Sequence, residues 1–182
     1  MRRIEMNEIV NELSTLMAND KEEVLYCLTD DTYIFKGLDG GINPEYENGD
    51  YKVFNLGQRG GTIIGSKGDI QMALFKYEGW NQAKTYVEKM LEYLKEKGLN
   101  ASIAENDILI DDKYKVISYG SRDIGNRKIF ATIQISINAD PELINNISAK
   151  PMTKIPRGLS YYGVTTEEME KVILDISKEL EQ

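Results

Sequence analysis

The stretch QRGGTIIGSKGD, residues 58–69, places four glycines and two cations between two segments that look like strands. The segment DYKVFNL precedes it, and the apolar segment IQMALFKY follows it. A glycine costs about 0.5–1 kcal/mol where it interrupts regular structure, so a group of glycines marks a tight turn or a close approach of the backbone to another group. The stretch therefore predicts either an ordinary hairpin connection or a loop whose backbone lies against a ligand.

The composition limits the class of protein. A chain of 182 residues with 41% hydrophobic content can bury one core, so we expect a single domain over residues 1–182. The net charge of -8 and the absence of a basic tract argue against nucleic acid as a partner. The sequence has no run of 18 apolar residues and no signal-peptide pattern, which predicts a cytoplasmic protein with no membrane partner.

The residue types that are missing narrow the chemistry. The sequence contains no histidine, which excludes Ser-His-Asp and Cys-His nucleophiles and histidine-ligated metal sites. Cys27 is the sole cysteine, which excludes a disulfide within the chain, and we expect it to be a small buried core residue. Any chemistry must then use lysines, carboxylates, hydroxyls, backbone amides and bound ions.

The hydrophobic periodicity predicts helices separated by runs of strand. Helical spacing covers residues 3–18 and a segment that begins at Trp80 and Asn81 and ends at Gly98. Asp140 and Pro141 predict a short helix through Ile147, and a capping box of Thr165 and Glu168 predicts the last helix. The segment EEVLYCLTDDTYIFKG is compatible with a pair of strands or with a short helix and a strand, and the strand pair is favoured. Strands are predicted in ASIAE, DILID and YKVISYG, and in KIFATIQISIN with one apolar face. The pattern indicates an α+β fold with a mixed, mainly antiparallel sheet and packed helices.

The order of the motifs is more specific than any one of them. INPEYENGDYKVF is followed by RGGTIIGSKGD, the strand IQMALF, a helix that ends in glycine, ENDILIDDKYKVIS and a strand ending in SINADPEL. This series resembles the catalytic domain of the lipoate–protein ligase, biotin–protein ligase and octanoyltransferase superfamily, with its class II synthetase-like fold, over about residues 30–181. The resemblance matches Gly60 and Gly61 to the family's glycine loop, Gly68 to the glycine that closes it, Asn106 and Asp107 to an N-D pair, and Lys115 to its reactive-site lysine.

The resemblance implies a definite reaction. Such enzymes use ATP to activate lipoate, octanoate or biotin to an acyl-adenylate and transfer the acyl group to a lysine of a lipoyl-type carrier domain. It implies that Lys115 is catalytic, because an ammonium there can hold the charge of the carboxylate and the α-phosphate. It implies that Asp107 orients Lys115 or binds Mg²⁺. The residues implied to bind substrate or nucleotide are Arg59, Gly60, Gly61, Thr62, Lys67, Gly68 and Asn106. Because QRGGTIIG lacks the arginine-rich loop of biotin ligases, lipoate or octanoate is the favoured acid.

Simpler interpretations remain open for each feature. Lys115 could be a solvated residue of an alternating strand, and Asp107 could end a strand in a tight hairpin. Arg59 and Lys67 could be solvated loop cations. The residues 55–58, Asn-Leu-Gly-Gln, replace the family's paired arginines, and Gly65 or Ser66 replaces its loop histidine. A non-catalytic relative that binds an acyl chain, a nucleotide or a carrier protein is therefore the alternative, and a lysine-assisted octanoyltransferase is a third possibility.

Overall fold

The computed structural model describes residues 1–19, 21–37, 41–47, 49–54, 62–77, 79–123, 128–150 and 152–181. The helices in these residues are α1 (Ile9–Asn19), α2 (Gly79–Glu96), α3 (Pro141–Ile147) and α4 (Thr166–Leu180). The strands are β1 (Arg2–Arg3), β2 (Glu23–Leu28), β3 (Tyr33–Phe35), β4 (Lys52–Phe54), β5 (Ile63–Gly65), β6 (Ile70–Tyr77), β7 (Ala101–Ala104), β8 (Asp107–Ile110), β9 (Tyr114–Asp123), β10 (Lys128–Ile135) and β11 (Ile155–Pro156).

Within the described residues, the strands form a large sheet and a small one. The large sheet has the order β1-β2-β6-β10-β9-β8-β7, and β11 pairs with β9 outside this path. Its pairs are antiparallel except for β1 with β2 and β11 with β9. The small sheet has the order β4-β3-β5. The predicted α+β class with a mixed, mainly antiparallel sheet is confirmed.

Helices α2 and α4 cover one face of the large sheet. The apolar stripe of α2 shares one core cluster with Met169 and Ile173 of α4 and with Met72 and Ile133 of the sheet. Its buried members are Ala83, Tyr86, Val87, Met90 and Leu94, and Leu91 is partly buried. Gly98 follows α2 with φ of +89°, the left-handed conformation that ends many helices. This face is therefore filled by the apolar core.

The opposite face of the large sheet points away from α2 and α4, and we call it the site face. Over β2 and β6 it is covered by α1 and by the small sheet. Leu13 of α1 and Phe35 of β3 belong to one cluster with Leu25 and Phe75 of the large sheet. The site face is thus closed on the β2 side by the chain's own apolar residues.

Several boundaries differ from the prediction, and β9 continues past the predicted YKVISYG to Asp123. The first helix does not begin at residue 3, because Arg2 and Arg3 pair in parallel with β2, and Ile4 N donates to Tyr26 O at 2.9 Å. The strand predicted over KIFATIQISIN ends at Ile135, since the next backbone amides turn toward the buried carboxylate of Asp69.

The burial of β10 also differs from the prediction. One apolar face was expected, but every residue of β10 except Ile129 is buried, including Thr132 and Gln134. The reason is that β10 lies in the middle of a sheet covered on both faces, whereas simple alternation assumes that one face is solvated.

The predicted helix caps are present, with one difference. Asp140 Oδ1 accepts from Glu142 N at 3.1 Å at the start of α3, and Thr165 Oγ1 accepts from Glu168 N at 3.1 Å at the start of α4. The Glu168 carboxylate does not complete the capping box but binds the side chains of Tyr93 and Lys97 at the end of α2. It therefore ties the two helices together.

None of the helices in the described ranges is both long and apolar enough to cross a membrane.

Candidate functional site

A row of polar side chains crosses the site face. Register pairs Cys27 with Gln71, Gln71 with Gln134, Gln134 with Ser118, and Ser118 with Asp107, on five neighbouring strands. Paired residues of neighbouring strands point to the same face of a sheet, so these side chains share one level of the site face. The sequence analysis missed this row, although a glutamine in the middle of each of two apolar strands, IQMALF and TIQISI, was its signal.

One side of the row is fixed by a buried hydrogen-bond network. Tyr33 Oη of the small sheet lies 2.6 Å from Gln134 Oε1 and 3.1 Å from Gln71 Oε1. A phenol has one proton, so its main acceptor is the nearer Gln134. Gln134 Nε2 in turn donates to Asp69 Oδ2 at 3.1 Å. The network joins the small sheet to the large one.

Asp69 also fixes the end of the large sheet. Its carboxylate accepts from Ser66 N at 2.8 Å, Ile137 N at 2.6 Å and Asn138 N at 3.0 Å, in addition to Gln134. Burial raises the pKa of this carboxyl to about 6, and the hydrogen bonds oppose that rise. The carboxylate therefore connects the turn between β5 and β6 with the end of β10.

A β-bulge decides the position of Lys115. Ile108 pairs with Ile117, but the next residue, Leu109, pairs with Lys115, which leaves Val116 as an extra residue in β9. Ile108 faces the core under α2, so Leu109 and its partner Lys115 face the other way. Lys115 therefore lies on the site face. Without the bulge it would pair with Ile110 and point into the core.

Lys115 lies at the same end of the large sheet as the turn between β5 and β6. Backbone bonds at this level join Ser136 N to Val116 O, while Asp69 holds the two amides that follow Ser136. At the level of Lys115, β10 has ended, and β11 lies beside β9, with Pro156 paired to Lys115 and Arg157 N donating to Lys115 O at 3.0 Å. Within the described part of the chain, the Lys115 ammonium has no hydrogen bond and no ion pair. Lys115 therefore offers an unengaged cation at this end of the site face.

Asp107, the predicted metal ligand, is bound by a lysine of the same chain. Lys154 Nζ lies 2.7 Å from Asp107 Oδ2, 3.4 Å from Glu105 Oε2 and 3.4 Å from Ala104 O. The side chains of Asp107 and Lys154 are only 16% and 22% exposed. Burial alone would lower the pKa of the Lys154 ammonium, but the hydrogen bond and charge of Asp107 outweigh it, so the pKa is raised.

Lys154 was not predicted as a site residue. It follows a proline-punctuated segment, and nothing in its local sequence connects it with the N-D pair some 47 positions earlier. In the described residues, no group of three or more carboxylate or thiol side chains could together hold a metal ion. Asp107 therefore already carries a counter-ion, which Glu105 also approaches at 3.4 Å.

The turn that closes the glycine stretch makes close internal contacts. Gly68 has φ of +94°, and an added Cβ would lie 2.7 Å from Asn138 Nδ2. Its N–H donates to Thr29 O at 2.9 Å, and its carbonyl accepts from Thr166 Oγ1 at 2.7 Å. Lys67 beside it is exposed and borders an open cleft of about 520 Å³. Gly68 is therefore required by contacts within the chain, and these contacts give no evidence of a ligand at this residue.

Gly65 admits an aromatic ring. It pairs with Tyr33, and an added Cβ would lie 1.9 Å from Tyr33 Cε1. The ring can occupy this space only because residue 65 has no side chain. The same packing directs the Tyr33 hydroxyl to the polar row.

Small side chains and unpaired hydroxyls lie next to the polar row. One level farther along the sheet, the register aligns Ala73, Thr132 and Gly120 on the site face. Thr132 Oγ1 is buried and has no hydrogen-bond partner among the described residues, and the same holds for Thr62 Oγ1, just before β5. Buried hydroxyls without a partner are unusual, so these two oxygens retain a free capacity for hydrogen bonding.

The other predicted residues are placed as follows. Asn106 is exposed in the turn between β7 and β8, where its carbonyl accepts from Tyr119 N at 3.0 Å. Arg59, Gly60 and Gly61 lie outside the described residues. The structure thus brings Lys115 and Asp107 to one face and the Lys67–Gly68 turn to the same end of the sheet, while the side chain of Asn106 lies in solvent.

Cys27 ends the polar row on β2. It is fully buried, as expected for a core residue, and burial raises the pKa of its thiol to about 12, helped by the nearby charges of Asp30 and Glu5. A thiol of this kind is protonated at neutral pH, so it is a poor nucleophile.

Solved structures with a similar fold include lipoate–protein ligases. A chain of the archaeal lipoylation system of Thermoplasma acidophilum, a bi-partite lipoate protein ligase with its E2 lipoyl domain, matches 96% of this chain and 80% of its own length at 13% identity, with a TM-score of 0.73. LipL1 of P. falciparum in complex with lipoate matches 96% of this chain and 60% of its own length at 15% identity, with a TM-score of 0.72. A lipoate-protein ligase A bound with ATP matches 93% and 79% at 13% identity, with a TM-score of 0.71.

At this level of identity the likeness establishes the fold, and the resemblance inferred from the motif order is confirmed at that level. No protein-family model matches the sequence, and the search among curated proteins finds no match.

Proposed function

We propose that this protein activates a small carboxylic acid with an aliphatic chain, lipoate or octanoate, with ATP, and transfers the acyl group from acyl-AMP to the lysine of a lipoyl-type carrier domain. The observation that carries the proposal is the position of Lys115. The bulge at Val116 turns its ammonium to the site face, beside a row of polar side chains, in a fold shared with lipoate ligases.

Lys115 would act through its charge. When the carboxylate attacks the α-phosphorus of ATP, negative charge accumulates on the phosphate oxygens while pyrophosphate leaves. A preorganised cation near those oxygens stabilises that charge, and removing one such donor typically costs about 10²–10³ in rate. The same ammonium can hold the acid's carboxylate in line with the phosphate before the reaction.

The row of small residues beside the polar row supports an extended apolar substrate. Thr132 and Gly120 present no bulky side chain beside Ser118, whereas Ala73, Phe75 and Phe130 are already packed against α1 and the small sheet. An aliphatic chain over β9 would keep its polar end near Ser118 and Lys115.

Nucleotide and metal would be held by the residues around the two lysines. The unpaired hydroxyl of Thr62, the exposed Lys67 and the Lys154 ammonium are suited to phosphate oxygens. Mg²⁺ in nucleotide sites is usually held by one or two carboxylates and by the phosphates of the nucleotide. The carboxylate of Asp107 would be enough to supply the protein's share of these ligands. A metal ion there would share the carboxylate with Lys154 or displace it.

ATP–pyrophosphate exchange tests the proposal. The purified protein is incubated with lipoate, octanoate or biotin, ATP and labelled pyrophosphate, and the Lys115→Ala variant is compared with Lys113→Ala, which removes an exposed lysine two residues away. We expect exchange with lipoate or octanoate, retained in Lys113→Ala and reduced at least about 100-fold in Lys115→Ala. Equal exchange by both variants would refute the role of Lys115, and no exchange with any acid would refute the activation step.

A non-catalytic binding protein is the second candidate, and the ion pair of Asp107 with Lys154 favours it. This pair neutralises the carboxylate that would otherwise hold a metal, and the sequence at residues 55–58 lacks the family's arginines. Thermal unfolding with lipoyl-adenylate, biotinyl-adenylate or ATP separates the candidates, because a ligand that binds the folded state raises its apparent stability. Stabilisation without exchange supports the binder. Transfer from an octanoyl-carrier protein without ATP supports the lysine-assisted transferase.

A further inference from the structure

A groove runs between α2 and α4 on the outer side of the helical layer, so the large sheet separates it from the site face. Its volume is about 380 Å³. The helices run antiparallel, since Lys89 binds Glu179 at 2.9 Å near one end, and Lys97 binds Glu168 near the other. These two ion pairs fix the width of the groove.

The groove has the length of a short helix. Its residues on α4 extend from Glu168 to Glu179, a span of about 16 Å at 1.5 Å per residue, which equals three helical turns. Its floor is formed by the apolar parts of Tyr93, Val172 and Ile176. A narrow apolar floor between two helices is the geometry in which proteins accept an amphipathic helix.

The rim of the groove is acidic. Glu92, Glu96 and Asp175 line it and make no hydrogen bond or ion pair within the described residues, whereas Lys171 is the one lining cation in those residues without an ion pair. Glu168 and Glu179 also line the groove, but lysines already neutralise them. Unpaired carboxylates on both helices therefore flank an apolar floor.

We propose that this groove binds a cationic amphipathic helix of a partner protein, with apolar side chains on the floor and lysine or arginine side chains opposite Glu92, Glu96 and Asp175. The negative charge of the rim favours a cationic helix over the other possible occupants. A second copy of the chain would bring a like-charged rim against this one, and nucleic acids and anionic membranes would be repelled by the same carboxylates. The proposal concerns the helical face and does not depend on the chemistry of the site face.

A designed peptide tests the groove directly. The probe is a fluorescein-labelled lysine–leucine peptide of about 14 residues with leucines at helical spacing, and its control has the same composition in an order that destroys the apolar stripe. Anisotropy titrations measure affinity at low salt and at 0.3 M salt, and amide shifts of labelled protein locate the binding surface. The groove variant carries E92Q, E96Q and D175N. The matched control loses the same charge outside the groove through D30N, E45Q and D50N, which change exposed residues.

We expect the ordered peptide to bind the wild-type protein, to shift amides of α2 and α4, and to bind the groove variant at least about tenfold more weakly. Binding to the control variant should remain within about twofold of wild type, and Val172→Thr should weaken it about threefold by making the floor more polar. The proposal is overturned if the peptide does not bind, if the scrambled peptide binds equally well, if the two triple variants lose equal affinity, or if spermidine alone competes fully.

Discussion

Replacing Asp69 by asparagine removes the ionisable group from the network that joins the turn between β5 and β6 to the end of β10. Burial raises the pKa of this carboxyl from 3.8 to about 6, even though its four N–H donors act in the opposite direction. The difference of about 2.2 pKa units corresponds to about 3 kcal/mol at 1.36 kcal/mol per unit. No reduction for solvent screening is needed, because Asp69 is 0% exposed.

The sign of the effect follows from proton binding. The folded pKa lies above the unfolded one, so between the two values the folded protein holds more protons than the unfolded chain. The contribution of Asp69 to the free energy of unfolding is therefore fully present below about pH 4, and it is lost as the pH rises through about 6. The difference in unfolding free energy between wild type and Asp69→Asn should decrease by about 3 kcal/mol between about pH 4 and pH 7.

Urea unfolding of both proteins at intervals of pH measures this difference. Other titrating groups are common to the two proteins and cancel, and equal m-values would show that both unfold with the same change in exposed surface. A difference that stays constant or grows with pH would refute the reasoning. It would mean that the four N–H donors stabilise the carboxylate by more than burial disfavours it.

Three further predictions concern packing and pairing. Gly65→Ala should lower the free energy of unfolding by about 3 kcal/mol or more in urea titrations, because the new methyl group would overlap the Tyr33 ring, and an unchanged midpoint would contradict the contact. Lys154→Met should destabilise the fold by about 1–3 kcal/mol by leaving Asp107 without its counter-ion, and adding Asp107→Asn should restore part of the loss; strictly additive effects would show that the pair is not coupled. Iodoacetamide should label Cys27 far more slowly in the native protein than in urea, because the higher pKa lowers the fraction of thiolate about a thousandfold. Mass spectrometry measures the labelling rate, and equal rates would contradict the burial of Cys27.

The elements that the sequence predicted correctly have local signals. The strand IQMALFKY is bounded by turn residues, α2 has an apolar stripe with a glycine after it, and Asp140 and Thr165 stand directly before their helices. Each signal lies within a few positions of the element that it defines, so one sequence is enough to find it. The predicted start of the first helix was wrong because the true structure of this segment depends on a distant part of the chain. The pairing of Arg2 and Arg3 with a strand some 20 residues later leaves no local trace.

The candidate site depends on such distant pairings. The polar row joins residues from Cys27 to Ser118, and its alignment follows from the register of the whole sheet. A single glutamine in an apolar strand predicts no partner, since it could as well be an isolated buried amide. Two glutamines on strands that pair form a polar level of the sheet. The sequence could therefore indicate that buried amides exist, but not that they meet Tyr33.

The bulge at Val116 shows most directly why the position of Lys115 could not be read from its strand. In YKVISYG, alternation alone puts Lys115 on the same side as Ile117 and Tyr119, which face the core under α2. An ammonium in that position would be buried without a counter-ion, at a cost of several kcal/mol, so uninterrupted pairing is strongly disfavoured. One extra residue reverses the direction of Lys115 and returns Tyr114 to the core cluster. The same residue thus avoids a buried charge and places a cation on the site face, as the role proposed for Lys115 requires.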